Sequence, residues 1–415
     1  MKKFAVVAGL ASALMLTTSA FATDLEVIHW WTSPGESRAV GEFAKAFDND
    51  GAGDHWVDNA IALGETARAA IMQRVLGGNP PGAAQFNPGR QYEELIKNNL
   101  LLDLTPLAEK EGWDKIIRPA TISDPCHVDG KWWCVPVNIH SNNWAWVSPA
   151  AFKTASLDVP KTWDEYIADL PKLKDAGIIP FAAGGDGGGW QLVAAFGVIQ
   201  TQDLGQADRD KLLKDKDQTI AMGDKQKKAF EDFRVLSQYS DEGEPNRNWN
   251  DTTALVIQGK AALQIMGDWA RGEFGAAGKK PDVDYVCWAL PADHPLVTTS
   301  GDVIVFPKQA DADVEAAQLR LASLLLSPAV QANFNNAKGS MPVRDDVDMS
   351  LADPCMLKGL SIIKDPANIQ IDSNRWLSPD TSTAMNDLIS QFWTDQTMTV
   401  EEAQQKYADI LKNAN

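Results

Sequence analysis

Apolar and polar positions alternate over residues 25–31, LEVIHWW, the two-residue period of a strand with one buried face. The next stretch, ESRAVGEFAKAFDND over residues 36–50, changes period and sets Val40, Phe43, Ala44 and Phe47 on one side of a helix. TARAAIMQRVLGG, residues 66–78, predicts a second amphipathic helix stopped by its glycine pair. AAQF, residues 83–86, reads as a short strand, and QYEELIKNNLLLDLTPLAEK, residues 91–110, as a helix and its exit. This β-α-β-α rhythm predicts an α/β fold with a mainly parallel sheet covered by helices.

The middle of the chain changes character. GKWWCVPVN and NNWAWVSPAAF are strand-like, with NIHS between them, and a new helical series follows in TWDEYIADLPKLKDAG, WQLVAAFGVIQ and DKQKKAFEDFRVLSQYS. GKAALQIMGDWARGEF predicts a strand turning into a helix; DYVCWALP and DVIVFPK predict two more strands. ADVEAAQLRLASLLLSPAVQANFNN, residues 312–336, predicts one long helix with an apolar face. No repeat or long flexible linker interrupts the series, so two lobes joined by strand segments are expected.

The ends and totals sharpen this. Lys2 and Lys3 precede an apolar run from Phe4 to Leu16 and the small-residue tail TTSAFA, in which Ala20 and Ala22 form a cleavage site. Residues 1–22 therefore read as a secretory signal peptide, which predicts a soluble, exported protein of the bacterial periplasm. Its removal leaves 393 residues, more than one core usually fills, and moves the net charge from −18 to −20. Such acidity argues against nucleic acid or anionic membranes as partners. Four cysteines in an oxidising compartment predict two disulfides, for which three pairings exist. Cys126 and Cys134 flank HVDGKWW, whose Asp129-Gly130 turn signal brings them together and leaves Cys287 with Cys355. The five histidines and four cysteines show no C-x-x-C or H-x-x-x-H spacing, so no metal and no cofactor is expected.

Several blocks together carry a resemblance: the opening VIHWW, WDEYIADLPKLKDAGIIPFAAGG, NWNDTTALVIQGKAALQIMGDWA and NFNNAKGSMPVR. In order and spacing they resemble the family 1 extracellular solute-binding proteins, periplasmic receptors of ATP-driven sugar importers. HWW and HVDGKWWCVPVN resemble the glucose/mannose-binding branch in particular. The resemblance implies a two-lobed, maltose-binding-protein-like (type II) fold with a hinge between lobes. Residues 23–140 and 296–345 would form the N-terminal lobe, and residues 141–295 and 346–415 the C-terminal lobe. It also implies a membrane permease as partner and a monosaccharide, glucose or a related hexose, as ligand. Nothing in the sequence requires an oligomer, so a monomer is expected.

A pyranose has apolar C–H faces and a polar rim, so indoles, carboxylates, amides and lysine suit it. The chain holds fifteen tryptophans against five tyrosines. Trp30 and Trp31 end the first strand, where ligands of open α/β sheets bind. They point to opposite faces, so only one need stack on sugar. Glu36 opens the next helix, as an acid favoured by the helix dipole or as a hydroxyl acceptor. Gln85 and Asn87 alternate to one face; in the resembling branch a Gln-x-His pair stands there, and Asn87 replaces its His. Trp249 and Trp269 match family aromatics of the far lobe, while Asp302 and Lys338 match polar sugar contacts. The branch also carries a late His. Here SNRWLSPDTS occupies that region, with Asn374 or Arg375 as substitutes and Trp376 as a further wall.

Other residues are left with blander roles. Asn250 and Asp268 are expected as helix caps. His140, near the presumed crossing between lobes, is as well explained by structure as by ligand binding. GGDGGGW, residues 184–190, lacks the G-x-G-x-x-G register and any following Gly-Lys-Ser/Thr, so it reads as a flexible loop near the cleft with Trp190 beside it. A secreted glycosidase is the rival function, with Glu36 and Asp302 as a carboxylate pair, but no catalytic signature accompanies them. Binding without catalysis is the expectation.

Overall fold

The computed structural model describes residues 22–291 and 294–414. The predicted signal peptide thus lies, apart from Ala22, outside the described residues. Two mixed α/β lobes share the chain. The first has a five-stranded sheet in the order His55–Ala60, Asp24–His29, Ala83–Phe86, Val303–Val305, Cys134–Pro136. Its core runs from Leu25 to Ile139 and from Val297 to Val343, with Met356. The second lobe has a four-stranded sheet, Val286–Ala289, Trp144–Val147, Ala261–Met266, Ile179–Phe181. A third, small sheet of Ile369–Ile371, Val297–Ser300 and His140–Ser141 lies where the chain passes between lobes.

The sheets are mixed, and the expectation of a mainly parallel sheet is corrected. Asp24–His29 runs parallel to both neighbours, but Val303–Val305 is antiparallel to Ala83–Phe86 and to Cys134–Pro136. That strand returns from the other lobe and enters the sheet from the opposite end. In the second lobe Trp144–Val147 is antiparallel to both its neighbours. The edge strand His55–Ala60 had no apolar signature to betray it, because its outer face is largely exposed.

Local chemistry sets the helix ends. Pro34–Asp48 starts on a capping box in which Ser33 and Glu36 each accept from the other's backbone N–H, with Pro34 at the first position. The single long helix expected over residues 312–336 is two: Ala312–Leu325 and Pro328–Lys338. Pro328 has no N–H to continue the first and is pre-set to begin the second, behind Ser327. Trp249–Ile257 is capped by Asn248 and not by the expected Asn250. Disulfides join Cys126 to Cys134 and Cys287 to Cys355, the pairing read from the sequence. Among the described residues no helix is long and apolar enough to cross a membrane.

The lobes meet backbone to backbone beside the cleft. A Cβ on Gly35, in the first-lobe helix, would lie 2.7 Å from the Gly272 carbonyl carbon of the second-lobe helix Ala270–Ala276. A Cβ on Gly272 would lie 2.8 Å from the Lys338 carbonyl oxygen. Real Cβ atoms do not approach so closely, so side chains at these positions would push the segments apart. Gly272→Ala is expected to destabilise the protein by about 1–3 kcal/mol through overpacking. Gly275→Ala, one turn on with nothing within 4 Å, should instead stabilise by about 0.5–1 kcal/mol. Chemical denaturation of the pair checks this; equal effects would contradict the close approach.

Candidate functional site

The strand ends of both lobes face a shared cavity of about 1600 Å³. The first lobe contributes Trp30, Trp31, Glu36, Asn87, Asp302 and Lys338 to its boundary; the second contributes Trp190, Trp249, Trp269 and Asn374.

Trp30 and Trp31 divide as their alternation requires. Trp30 is half-buried on the cleft, with the Arg68 guanidinium 5.5 Å from its ring centroid. Trp31 is 1% exposed and packs between Phe43 and Phe334, at centroid distances of 6.0 and 5.4 Å, so only its edge reaches the cavity. Across the cleft Trp269 packs against Trp190 at 6.1 Å and edge-on to His140 at 5.0 Å. Trp249 opens the helix capped by Asn248.

The floor is a charge network. Lys338 Nζ lies 3.1 Å from Glu36 Oε1 and 5.9 Å from the Trp269 ring centroid, a cation over an indole face. Beside it Glu273, from the second lobe, accepts from the Ser33 hydroxyl at 2.7 Å and the Gly35 N–H at 2.8 Å. Burial pushes the Glu273 carboxyl up, against those two hydrogen bonds. Asp302 accepts from Gln85 Nε2 at 2.7 Å on Oδ1, and from Asn138 Nδ2 at 2.8 Å and His140 Nε2 at 3.1 Å on Oδ2. A carboxylate offers about four acceptor directions, so about one remains, on Oδ1.

His140 joins the lobes. Its Nδ1 lies 2.5 Å from Asp268 Oδ1, and its Nε2 faces Asp302. Burial opposes charge on the imidazole, yet the Asp268 and Asp302 carboxylates outweigh it and raise its pKa above 6.5. Burial likewise opposes the charge on Asp302, but the hydrogen bond and charge of His140 hold that carboxyl down at about 2. Asp268, expected as a helix cap, caps nothing: its Oδ2 accepts from the Ser141 N–H at 3.1 Å, and the N-cap position is Trp269. His140 and Asp268 are thus the pair the sequence reading undervalued. Only their place at a lobe crossing and a strand end hinted at it.

Two further candidates sit off the cleft. Gln85 is fully buried behind it and ties the Trp30 backbone N–H, 2.9 Å from its Oε1, to Asp302. It positions the neighbours that face the cavity. Arg375 does not bound the cavity, whereas Asn374, in the same Ser373–Arg375 turn, does. Asn87 bounds it too and donates to the Gly301 carbonyl at 3.1 Å. The glycine loop at 184–189 closes the rim. A Cβ on Gly188 would lie 3.3 Å from Glu65 Oε2, and one on Gly187 3.3 Å from Leu63, both in the first lobe. Among the described residues no group of three or more His, Cys, Asp or Glu is arranged to hold a metal.

Two α/β lobes enclosing a cleft walled by indoles and floored by charges define a solute receptor. Residues 61–354 match the bacterial extracellular solute-binding protein family, to which the chain belongs. A "probable sugar-binding periplasmic protein" of Rhizobium meliloti (strain 1021) is 39% identical over 363 residues, covering 87% of this chain and 86% of that one. A protein of the same description from Mesorhizobium japonicum is 35% identical and covers 98% of both chains. Among solved structures, a chitin oligosaccharide binding protein superposes with TM-score 0.79 at 16% identity, over 94% of this chain and 98% of that one. A maltose-bound MalE3 of T. maritima gives 0.77 at 18% identity, over 94% and 99%. The fold is therefore the maltose-binding-like one, and the chain is a binding protein and not an enzyme, which sets the glycosidase reading aside.

The His140 bridge predicts a pH dependence. A group whose pKa rises on folding stabilises fully below its unfolded value, and that stability is lost as pH climbs through the folded value. His140→Asn should cost about 3–5 kcal/mol, by leaving two buried carboxylates unpaired. In thermal unfolding the wild-type margin over this variant is expected to be full below about pH 6.5 and to shrink above it. A margin constant from about pH 5 to 9 would contradict a charged imidazole.

Proposed function

We propose that this protein is the substrate-binding component of an ATP-driven carbohydrate importer. It takes a monosaccharide, glucose or a related hexose, into the cleft and presents it to a membrane permease. The observation that carries this reading is the pairing of indole faces on opposite lobes, Trp30 against Trp249 and Trp269, above the polar floor of Glu36, Asp302 and Lys338. Indoles cover C–H faces at little ordering cost, while the carboxylates accept and the ammonium donates to hydroxyls. Asn87 and Asn374 add amide contacts at the edges. The names of the relatives support a sugar and export to the periplasm; cleavage after residue 22 is proposed with it.

Residues 23–140 with 296–345, and 141–295 with 346–415, are proposed as the two rigid bodies. Sugar touching both would favour the closed arrangement over the open one, which the permease would distinguish. The protein is proposed to act as a monomer.

Thermal-shift screening of the mature chain against hexoses, disaccharides and polyols tests the ligand class, since a ligand bound only by the folded state raises Tm. The largest shift is expected from glucose or a close relative; no shift from any sugar would reject the reading. By calorimetry, Trp269→Ala and Trp30→Ala should each weaken hexose binding about tenfold or more while leaving the fold intact. Trp31→Ala should instead destabilise by about 3–5 kcal/mol, as a core truncation does.

A further inference from the structure

The cavity is larger than the roughly 300–1,000 Å³ of ordinary small-molecule sites. Its lining extends from the hinge sheet into the second lobe, where Phe196, Gln200, Arg209, Thr298, Asp372 and Tyr407 bound what we call the Arg209 chamber. None of these belongs to the sugar contacts proposed above.

Arg209, on the helix Gln206–Lys214, is 7% exposed. Its Nε and Nη1 are buried and have no hydrogen-bond acceptor among the described residues. No carboxylate among those residues comes within ion-pair distance of it either; Asp372 and its neighbour Asp210 act on it only from farther away. The Asp372 oxygens are engaged elsewhere, Oδ2 by Asn142 Nδ2 at 2.8 Å and Oδ1 by the Asn374 N–H at 2.9 Å. The guanidinium lies beside Gly197, where a Cβ would sit at an ordinary contact distance of 3.5 Å from Nη2. A second donor stands nearby. The Tyr407 hydroxyl accepts from Gln200 Nε2 at 3.2 Å and keeps its own proton to give.

A buried guanidinium with no acceptor is a costly arrangement unless an anion completes it. Its planar fork matches a carboxylate, and charge-assisted bonds of this kind are about twice as strong as those to neutral hydroxyls. We propose that the Arg209 chamber is an anion subsite adjoining the main cleft, which takes a small monoanionic group. Its sources are a free anion such as chloride or acetate, or the carboxylate of a sugar acid; only the latter rests on the sugar reading.

Two variants test it: Arg209→Met, which keeps the volume without the charge, and Arg209→Lys, which keeps the charge without the fork. The mature protein would be titrated with sodium chloride, sodium acetate, sodium glucuronate, glucose and maltose at matched ionic strength, following Tm and heat. If the free anions raise the Tm of wild type but not of Arg209→Met, with Arg209→Lys between, a free-anion site is supported. If only glucuronate does so, and its preference over glucose falls at least tenfold in Arg209→Met, the carboxylate of a sugar acid is supported. The chloride and acetate arms are read even if no sugar binds, so the two readings fail separately. Equal responses of wild type and both variants to every anion would overturn the proposal. A loss confined to neutral disaccharides, such as maltose, would overturn it in favour of a hydroxyl site.

Discussion

A histidine held between two buried carboxylates is the constraint on which the rest of the site depends. His140 lies on one of the strands that carry the chain between lobes, Asp268 follows a strand of the second lobe, and Asp302 precedes a strand of the first. Neither carboxylate is tolerable there alone: a desolvated charge needs an opposite charge and filled hydrogen bonds. His140 bonds to both, their charges raise its pKa above 6.5, and its two bonds fix how the lobes' inner ends face each other. The effect passes outward along short bonds. Asp302 is locked in orientation, Gln85 locks to Asp302, and the backbone of Trp30 locks to Gln85. One wall tryptophan is therefore tied to the hinge through three residues.

The same floor explains why glycines stand at the contact. Lys338 reaches Glu36 only because the end of its helix lies against Gly272 and the start of the Glu36 helix lies against Gly272 as well. Gly339, with φ +93°, ends the Lys338 helix in the left-handed region that side chains resist. Its own Cβ would meet the Asp268 carbonyl oxygen at 2.6 Å. Backbone contact places the Lys338 ammonium and the Glu36 and Glu273 carboxylates within one polar layer, which longer side chains between the segments would hold apart.

Much of this was legible in the sequence, and the exceptions share a cause. Alternation in LEVIHWW gave both the first strand and the split between Trp30 and Trp31, because a strand's period is a local property. The cysteine pairing was legible for the same reason, through the Asp129-Gly130 turn. What local pattern does not carry is a partner far along the chain. Val303–Val305 looks like any short apolar strand, and nothing in it states that it enters a sheet begun some 280 residues earlier, antiparallel. Gln85 pointed to the right face but stopped short of the cavity, since its depth depends on Asp302, 217 positions away. Asp268 in GDW reads as a cap until His140, 128 positions away, is placed beside it. Pro328, by contrast, was a local signal that helical periodicity on both sides concealed.

The distribution of contacts also bears on how such a receptor can move. At the rim, glycines of the 184–189 loop approach Leu63 and Glu65 with no hydrogen bond between them among the described residues, whereas the floor is held by ion pairs and backbone packing. Opening at the rim breaks little; opening at the floor would strand Glu273, His140 or Lys338 in low dielectric. On the proposed two-body reading, a hinge next to the floor would leave the closed form only modestly favoured when empty. A ligand then needs a correspondingly small differential affinity to shift the population, with a few kcal/mol sufficing for most of a two-state change. Indoles set on opposite walls are suited to supply it, because one wall alone can be satisfied in the open form and both only in the closed one. On that reading the floor would fix the polar geometry in either form, and the walls would carry the switch.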